Sequence, residues 1–209
     1  MKILLIGATG MVGSRILNEA ISRGHEVIAA TRGNKKLEFL DNVVEIVLDV
    51  NDSEAVAEQA SNVDVIVSAV SPRNTEDAFA DAVTFTQSLI AVYHKIGKRI
   101  LMVGGGSSLN MPDGTNALDL TPEGILPEAS GMRRAYGMMV HEDINFTVLA
   151  PAGIIEPGER TGKFRLGGRT MLTNSAGGKG NISAEDFAVA MLDEIEEPKH
   201  FRTIFNVGY

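Results

Sequence analysis

The sequence predicts an α/β fold: a doubly wound parallel sheet with helices on both faces and a small irregular C-terminal region. Three observations predict it. An apolar run at residues 3–6 stops at Gly7, glycines recur at 10 and 13, and Ile16, Leu17, Ala20 and Ile21 follow with the spacing of one helix face. Strand-like and helix-like segments then alternate through five strands, the pattern of βαβ units with right-handed crossovers. Residues 63–70 are almost continuously apolar, as a strand buried on both faces requires.

Taken in order, Gly24 and His25 end the first helix and residues 26–30 form a second strand. A polar turn at 31–36 leads to a third strand at 43–48, closed by Asp49 and Val50. Ser53 is the expected N-cap of a helix at 54–60 that Asn62 ends. Ser71 and Pro72 break the fourth strand, and a long helix runs from about 75 to 96, stopped by Gly97. The fifth strand, Arg99–Val103, enters the run Gly104-Gly105-Gly106-Ser107-Ser108. Residues 105–127 hold three prolines and little periodicity, and a loop of that length in a compact domain is commonly functional. A helix at about 128–142 and a sixth strand at 146–150 follow, the strand ending at Pro151. Residues 164–172 read as a hairpin turning at Gly167-Gly168, and 174–180 as a loop. Ser183, with Glu185 and Asp186 behind it, caps a helix at 187–195, and a strand at 203–207 closes the chain. No repeat or linker interrupts the pattern, so residues 1–209 are expected to form a single domain.

Composition excludes several function classes. The net charge of −8, with no basic run, argues against binding nucleic acid by phosphate neutralisation. Without cysteine there are no disulfides, thiolate metal ligands or cysteine nucleophile. The four histidines, at 25, 94, 141 and 200, form no H-x-x-x-H pair, so no metal is expected. Lys2 begins the first strand directly, and no apolar run approaches the ~20 residues that span a bilayer. Neither a signal peptide nor a membrane partner is expected, and the expected location is cytoplasmic.

The glycine turn is the first candidate site. Gly7 takes the tight turn off the strand, Gly10 leaves backbone N–H groups open to a pyrophosphate, and Gly13 lets the helix lie close on the strand. Thr9, Met11 and Val12 complete it. Ligands of open parallel sheets sit beyond the carboxyl ends of the strands, near the switch in strand order. That rule adds Arg32 after strand two, Asp49 and Val50 after strand three, Ala69 and Val70 after strand four, and Pro151, Ala152 and Gly153 after strand six. Strand two ends without the carboxylate that NAD-selective sites set against the ribose, whereas Arg32 suits a 2′-phosphate and stacks on adenine. The expected cofactor is therefore NADP, with NAD the alternative. Lys35 and Lys36 either assist or solvate the loop, and Asp49 is either an acceptor for the adenine amino group or a turn former. Ser107 and Ser108, after strand five, are the catalytic candidates, placed to hydrogen-bond a substrate carbonyl or the nicotinamide amide. The tyrosine with a lysine four residues on, which supplies the proton in short-chain dehydrogenases, is missing: Tyr136 is followed at that place by Val140 and Tyr93 by Gly97. His141 reads as a surface residue, and Glu156 and Glu159 as ion-pair material.

Residues 7–13, Thr31-Arg32, Asp49-Val50 and the missing tyrosine–lysine pair together resemble the atypical short-chain dehydrogenase/reductases, which implies a Rossmann-like sheet. Within them the chain is similar to the NmrA-like, NAD(P)H-binding group and to the flavin reductase/biliverdin-IXβ reductase type. Residues 151–166, 182–192 and 205–209 are similar to bacterial proteins provisionally described as NADH-flavin reductases, so the resemblance covers essentially the whole length. It implies that the glycine turn with residues 9–12 holds the pyrophosphate, that Arg32 holds the 2′-phosphate, and that Ser107 falls at an active-site serine. The histidine those reductases carry after strand six does not carry over, since Pro151-Ala152-Gly153 stands there. This departure counts against biliverdin as substrate. The implied function is an NADPH-dependent oxidoreductase passing hydride to a flavin, quinone or similar small acceptor. The alternative is an NADP-binding redox sensor of NmrA type that controls a partner without turnover. A sugar-nucleotide epimerase or dehydratase is disfavoured by the missing lysine and the short C-terminal half, and the oligomeric state stays open.

Overall fold

The computed structural model describes residues 1–34, 37, 41–72 and 76–209. Its core is an eight-stranded sheet of β1 (Lys2–Ile6), β2 (Glu26–Thr31), β3 (Val43–Val47), β4 (Val65–Ser68), β5 (Arg99–Val103), β6 (Phe146–Pro151), β8 (Arg165–Gly167) and β10 (Thr203–Gly208), in the order β3-β2-β1-β4-β5-β6-β10-β8. Every pairing is parallel except β8 on β10. A separate parallel pair is made by β7 (Gly153–Glu156) and β9 (Gly180–Ser183). The chain winds outward from β1 through β2 to β3, then returns to β4 on the other side of β1. The order therefore reverses between β1 and β4, where a doubly wound sheet opens a crevice.

Alternation along the strands divides the core. Ile3 and Leu5 of β1 face α1 (Met11–Ser22) and α5 (Ala184–Glu196) through Ile16, Leu17, Phe187 and Met191. Leu4 and Ile6 face the opposite layer of α2 (Ser53–Ala60), α3 (Ala78–Ile96) and α4 (Leu126–His141), where Val56, Phe85, Leu89 and Met132 are buried. The sheet is thus covered on both faces, as a parallel sheet must be. Among the described residues, no helix is long and apolar enough to cross a membrane.

The structure corrects several expectations. Asp52, not Ser53, caps α2: its carboxylate accepts from Ala55 N at 3.0 Å, and Ser53 is already helical. β4 is shorter than residues 63–70, because Val63 is held in the turn off α2 by Ala60 O at 3.3 Å. The expected helix start at Thr75, like Lys35 and Lys36, lies outside the described residues; α3 begins at Ala78, capped by Asp77 and ended by Gly97 at φ 64°. Residues 105–127 are not without structure. Three short 3-10 turns, Gly106–Ser108, Ala117–Leu120 and Glu123–Ile125, pin the segment down, with Leu109 and Ala117 fully buried. α4 starts before the expected residue 128, with Pro127 in its first turn, where a missing N–H costs nothing.

Residues 164–172 are not a hairpin. β8 pairs with β10, and the returning arm is held by one side chain: Asn206 Nδ2 donates to Gly168 O (2.7 Å) and Thr170 O (2.9 Å), while its Oδ1 accepts from Leu172 N (3.0 Å). A fully buried amide here does the work of a partner strand. The strands β7 and β9 were not expected at all. They meet because Gly153, at φ 128°, lets the backbones close up; a Cβ there would stand 2.6 Å from Gly180 O.

Candidate functional site

The glycine turn has the backbone sterics that its spacing predicts. Gly7 lies at φ 85°, donates to Ala30 O at 3.0 Å, and has room for no Cβ, which would meet Ala69 O at 2.9 Å. It therefore locks the end of β1 between the ends of β2 and β4, at the switch point. A Cβ on Gly13 would stand 2.1 Å from Gly7 O, so α1 rests directly on the turn. Gly10 is the N-cap of α1; it offers no side-chain cap, and the first turn holds no acid. By contrast, α2, α3 and α5 are capped by Asp52, Asp77 and Ser183. The first-turn N–H groups of α1 are thus left with the helix dipole's positive end toward the crevice, an arrangement that fits a dinucleotide pyrophosphate.

The other rim residues gather around this turn. Arg32 is exposed just past β2, where Thr31 Oγ1 accepts from Gly33 N at 3.1 Å and Thr31 O accepts from Leu48 N at 2.9 Å. The second bond sets the end of β3, and hence Asp49, beside it. Asp49 has the geometry of a turn former, its Oδ1 accepting from Asn51 N at 2.9 Å and its carbonyl from Asp52 N at 3.1 Å. Thr9 and Val12 are half-buried and Met11 is exposed; Val50, Ala69 and Val70 are half-buried against the two core layers. Pro151 and Ala152 are buried, and Ala152 spends its N–H on Val207 O at 2.9 Å, so its side chain lines the core rather than the crevice. Gly153 stays half-buried under the turn after β5, where a Gly106 Cβ would meet Pro151 O at 3.0 Å.

At the end of β5 the two serines differ. Ser107 is half-buried and its Oγ lies 2.8 Å from Thr121 Oγ1, which in turn donates to Ala117 O at 3.1 Å. With the threonine proton so committed, the Ser107 proton goes to Thr121, and the free lone pairs of Ser107 accept. Ser108 is fully buried, and its hydroxyl has no partner among the described residues. The Tyr136 ring is buried, edge-on to Phe146 at 6.4 Å between centroids.

Sequence reasoning missed two arginines at this end. Arg133 Nη1 donates to Ser107 O at 3.2 Å, and the Arg169 guanidinium lies over the Tyr136 ring, 5.9 Å from its centroid. Burial, then the charge of Arg169, lowers the Arg133 pKa below the usual arginine value. Arg133 was legible only as a residue one helical turn before Tyr136; Arg169 reaches the site purely through tertiary folding. Glu156 and Glu159 form no ion pair among the described residues. Arg160 does, with Glu19 at 2.7 and 2.8 Å, and its hydrogen bond to Glu19 is the chief reason that carboxyl is held below its usual range. His141 is exposed. Among the described residues no three His, Cys, Asp or Glu side chains are grouped to hold a metal ion.

The chain belongs to the NAD(P)H-binding family, whose sequence profile matches residues 7–198. It is 35% identical to the Bacillus subtilis protein YwnB, itself uncharacterized, over 99% of this chain and 98% of that protein. A solved structure from Bacteroides thetaiotaomicron, provisionally named an epimerase, superposes with a TM-score of 0.90 at 36% identity, covering 100% of this chain and 96% of the other. A Streptococcus pneumoniae structure, provisionally named an NADH-flavin reductase, gives 0.88 at 28% identity over 100% and 99% of the two chains. The chain shares the Rossmann-like fold with these solved structures, and its family is consistent with the atypical short-chain dehydrogenase/reductase group.

Proposed function

We propose that this chain is an NADPH-dependent oxidoreductase that reduces a flavin, quinone or similar small acceptor. The observation that carries the reading is the uncapped start of α1 on its glycine turn, with Arg32 exposed at the end of the neighbouring strand. On this reading Gly7, Thr9, Gly10, Met11 and Val12 hold the pyrophosphate, and Arg32 forks onto the 2′-phosphate. Asp49, Val50, Ala69, Val70, Pro151 and Gly153 border the cofactor. The name of the Streptococcus relative supports a reductase; the Bacteroides relative's name points to epimerisation, against which the missing tyrosine–lysine pair weighs.

When bound, NADPH supplies a hydride, and a flavin or quinone that takes it needs one further proton, which water can give. The chain then has to orient and desolvate rather than donate acid, and orientation alone is worth several kcal/mol of barrier (about 7–11 for well-aligned reactants). Ser107, with its proton on Thr121, presents lone pairs suited to the carboxamide N–H of the nicotinamide. Tyr136 has no lysine four residues on, so the tyrosine–lysine proton donor of the short-chain dehydrogenases is not available there.

The test follows nicotinamide absorbance with NADPH or NADH against FMN and a set of quinones. NADPH consumption is expected, and Arg32→Ala should weaken NADPH binding about 10-fold with little change for NADH, the worth of one charge-assisted contact. Equal use of both nucleotides, untouched by Arg32→Ala, would overturn the NADP preference. Binding of NADPH without consumption across the panel would replace the reductase with the redox sensor.

A further inference from the structure

We infer that Arg133 and Arg169 form a receiving site for an anionic group, a carboxylate or a phosphate, on the acceptor. The proposal deepens the reductase reading and rests on it for the acceptor's chemistry. The two guanidiniums come to the turn after β5 from different elements. Arg133 is on α4 and is anchored by Ser107 O at 3.2 Å. Arg169 is on the arm after β8, and its own carbonyl accepts from Asn110 N at 3.1 Å. Gly168 and Thr170 on either side of it are clamped by the buried Asn206 amide, so the position of Arg169 is set by three backbone contacts rather than left to an exposed loop. Tyr136 lies between the two: its ring carries Arg169 and its helix carries Arg133 one turn earlier.

What makes the pair informative is the counter-charge it lacks. The chain has 27 acidic against 19 basic residues. Arg15, Arg23, Arg99, Arg160 and Arg202 all find carboxylates. Arg133 and Arg169 are in no ion pair among the described residues, although Arg169 is close enough to disfavour the charge of Arg133. Asp119 is the acid whose field reaches Arg133, and it is exposed and not bonded to it. Two like charges set together, Arg133 half-buried and Arg169 exposed, in an acidic protein are stabilised by an anion from outside; a planar guanidinium pair suits the oxygens of carboxylate or phosphate. The location suits an acceptor, because Arg133 is bonded to Ser107 on the turn after β5, at the same carboxyl end of the sheet as the glycine turn.

The experiment uses matched acceptors that differ only in charge: FMN against riboflavin for phosphate, and a quinone carboxylate against its methyl ester. The wild-type protein should show kcat/KM at least 10-fold higher for the anionic member of one pair, and which pair responds identifies the anion. Arg169→Gln, at an exposed side chain, and Arg133→Gln should each bring that ratio toward one, with NADPH affinity by calorimetry within about twofold and an unchanged melting temperature. A ratio near one in the wild type, or a ratio the variants leave intact, overturns the proposal. So does a loss of NADPH affinity in both variants, which would assign the pair to the cofactor. If nothing is turned over, the reductase reading has failed, and direct titration of FMN and the quinone carboxylate decides the anion site: binding weakened by both variants supports it, and no binding overturns it.

Discussion

Helices α1 and α5 pack side by side on one face of the sheet, yet their N-termini are built in opposite ways. α5 is sealed. Ser183 Oγ accepts from Asp186 N at 3.0 Å, and the fully buried Asp186 carboxylate accepts from Thr161 N, Gly162 N and Tyr209 Oη, each at 2.8 Å. α1 opens on Gly10, with no cap, no first-turn acid and an exposed Met11. Both ends carry the same partial positive charge. One is neutralised by the protein's own side chains and serves stability; the other, on the function proposed above, is the end that receives the cofactor's phosphates. α4 also lacks a side-chain cap but carries Glu128 in its first turn, so α1 is set apart by having neither cap nor acid at its start.

The strongest way to break the contrast is at the sealed end. Asp186→Ala leaves two backbone amides, the Thr161 hydroxyl and a phenol without their buried acceptor and should cost about 3 kcal/mol in urea unfolding, while NADPH affinity stays near wild type. A loss below about 1 kcal/mol would mean that the seal contributes little. The converse change closes the open end. Gly10→Asp supplies a cap and a negative charge, so NADPH binding should fall at least 100-fold by calorimetry, about 2.7 kcal/mol, while stability holds or rises by a few tenths of a kcal/mol. If this variant binds NADPH normally, the phosphate does not sit on α1.

The smallest effect is on acid stability. Burial alone would raise the Asp186 carboxyl, but its bonds from Thr161, Gly162 and Tyr209 outweigh that and hold it below the usual range. A folded-state pKa below the unfolded one gives stability that is full above the unfolded value of about 3.9 and is lost as pH falls through the depressed value. Wild-type stability should therefore drop on acidification below about pH 4, and Asp186→Asn, which cannot titrate, should show a flatter curve over that window. Parallel curves would remove Asp186 from the account.

The fold's first half was legible because each device there is local. Gly7, Gly10 and Gly13 lie within seven residues of one another, Gly97 ends α3 where glycine commonly ends helices, and β5 occupies the residues its apolar run marks. The second half was less legible because its devices are remote. β7 and β9 pair across more than twenty intervening residues through one glycine's φ, and Asn206 replaces a hairpin partner for residues 168–172. The buried state of Ala152 and the 3-10 turns around Leu109 and Ala117 also depend on contacts with later segments, which periodicity does not register.

The sequence by itself determined the strand–glycine–helix opening, the doubly wound alternation and the absence of a tyrosine–lysine pair, because short-range sterics and apolar period are written in adjacent residues. Tertiary structure decided that α1 alone of the two neighbouring helices stays open. It also decided that the Tyr136 ring belongs to the core, that Arg133 reaches Ser107 and that Arg169 lies over Tyr136. Those outcomes depend on which side chains from distant segments arrive to satisfy a charge, a hydrogen bond or a dipole, and that is settled only when the sheet brings the segments together.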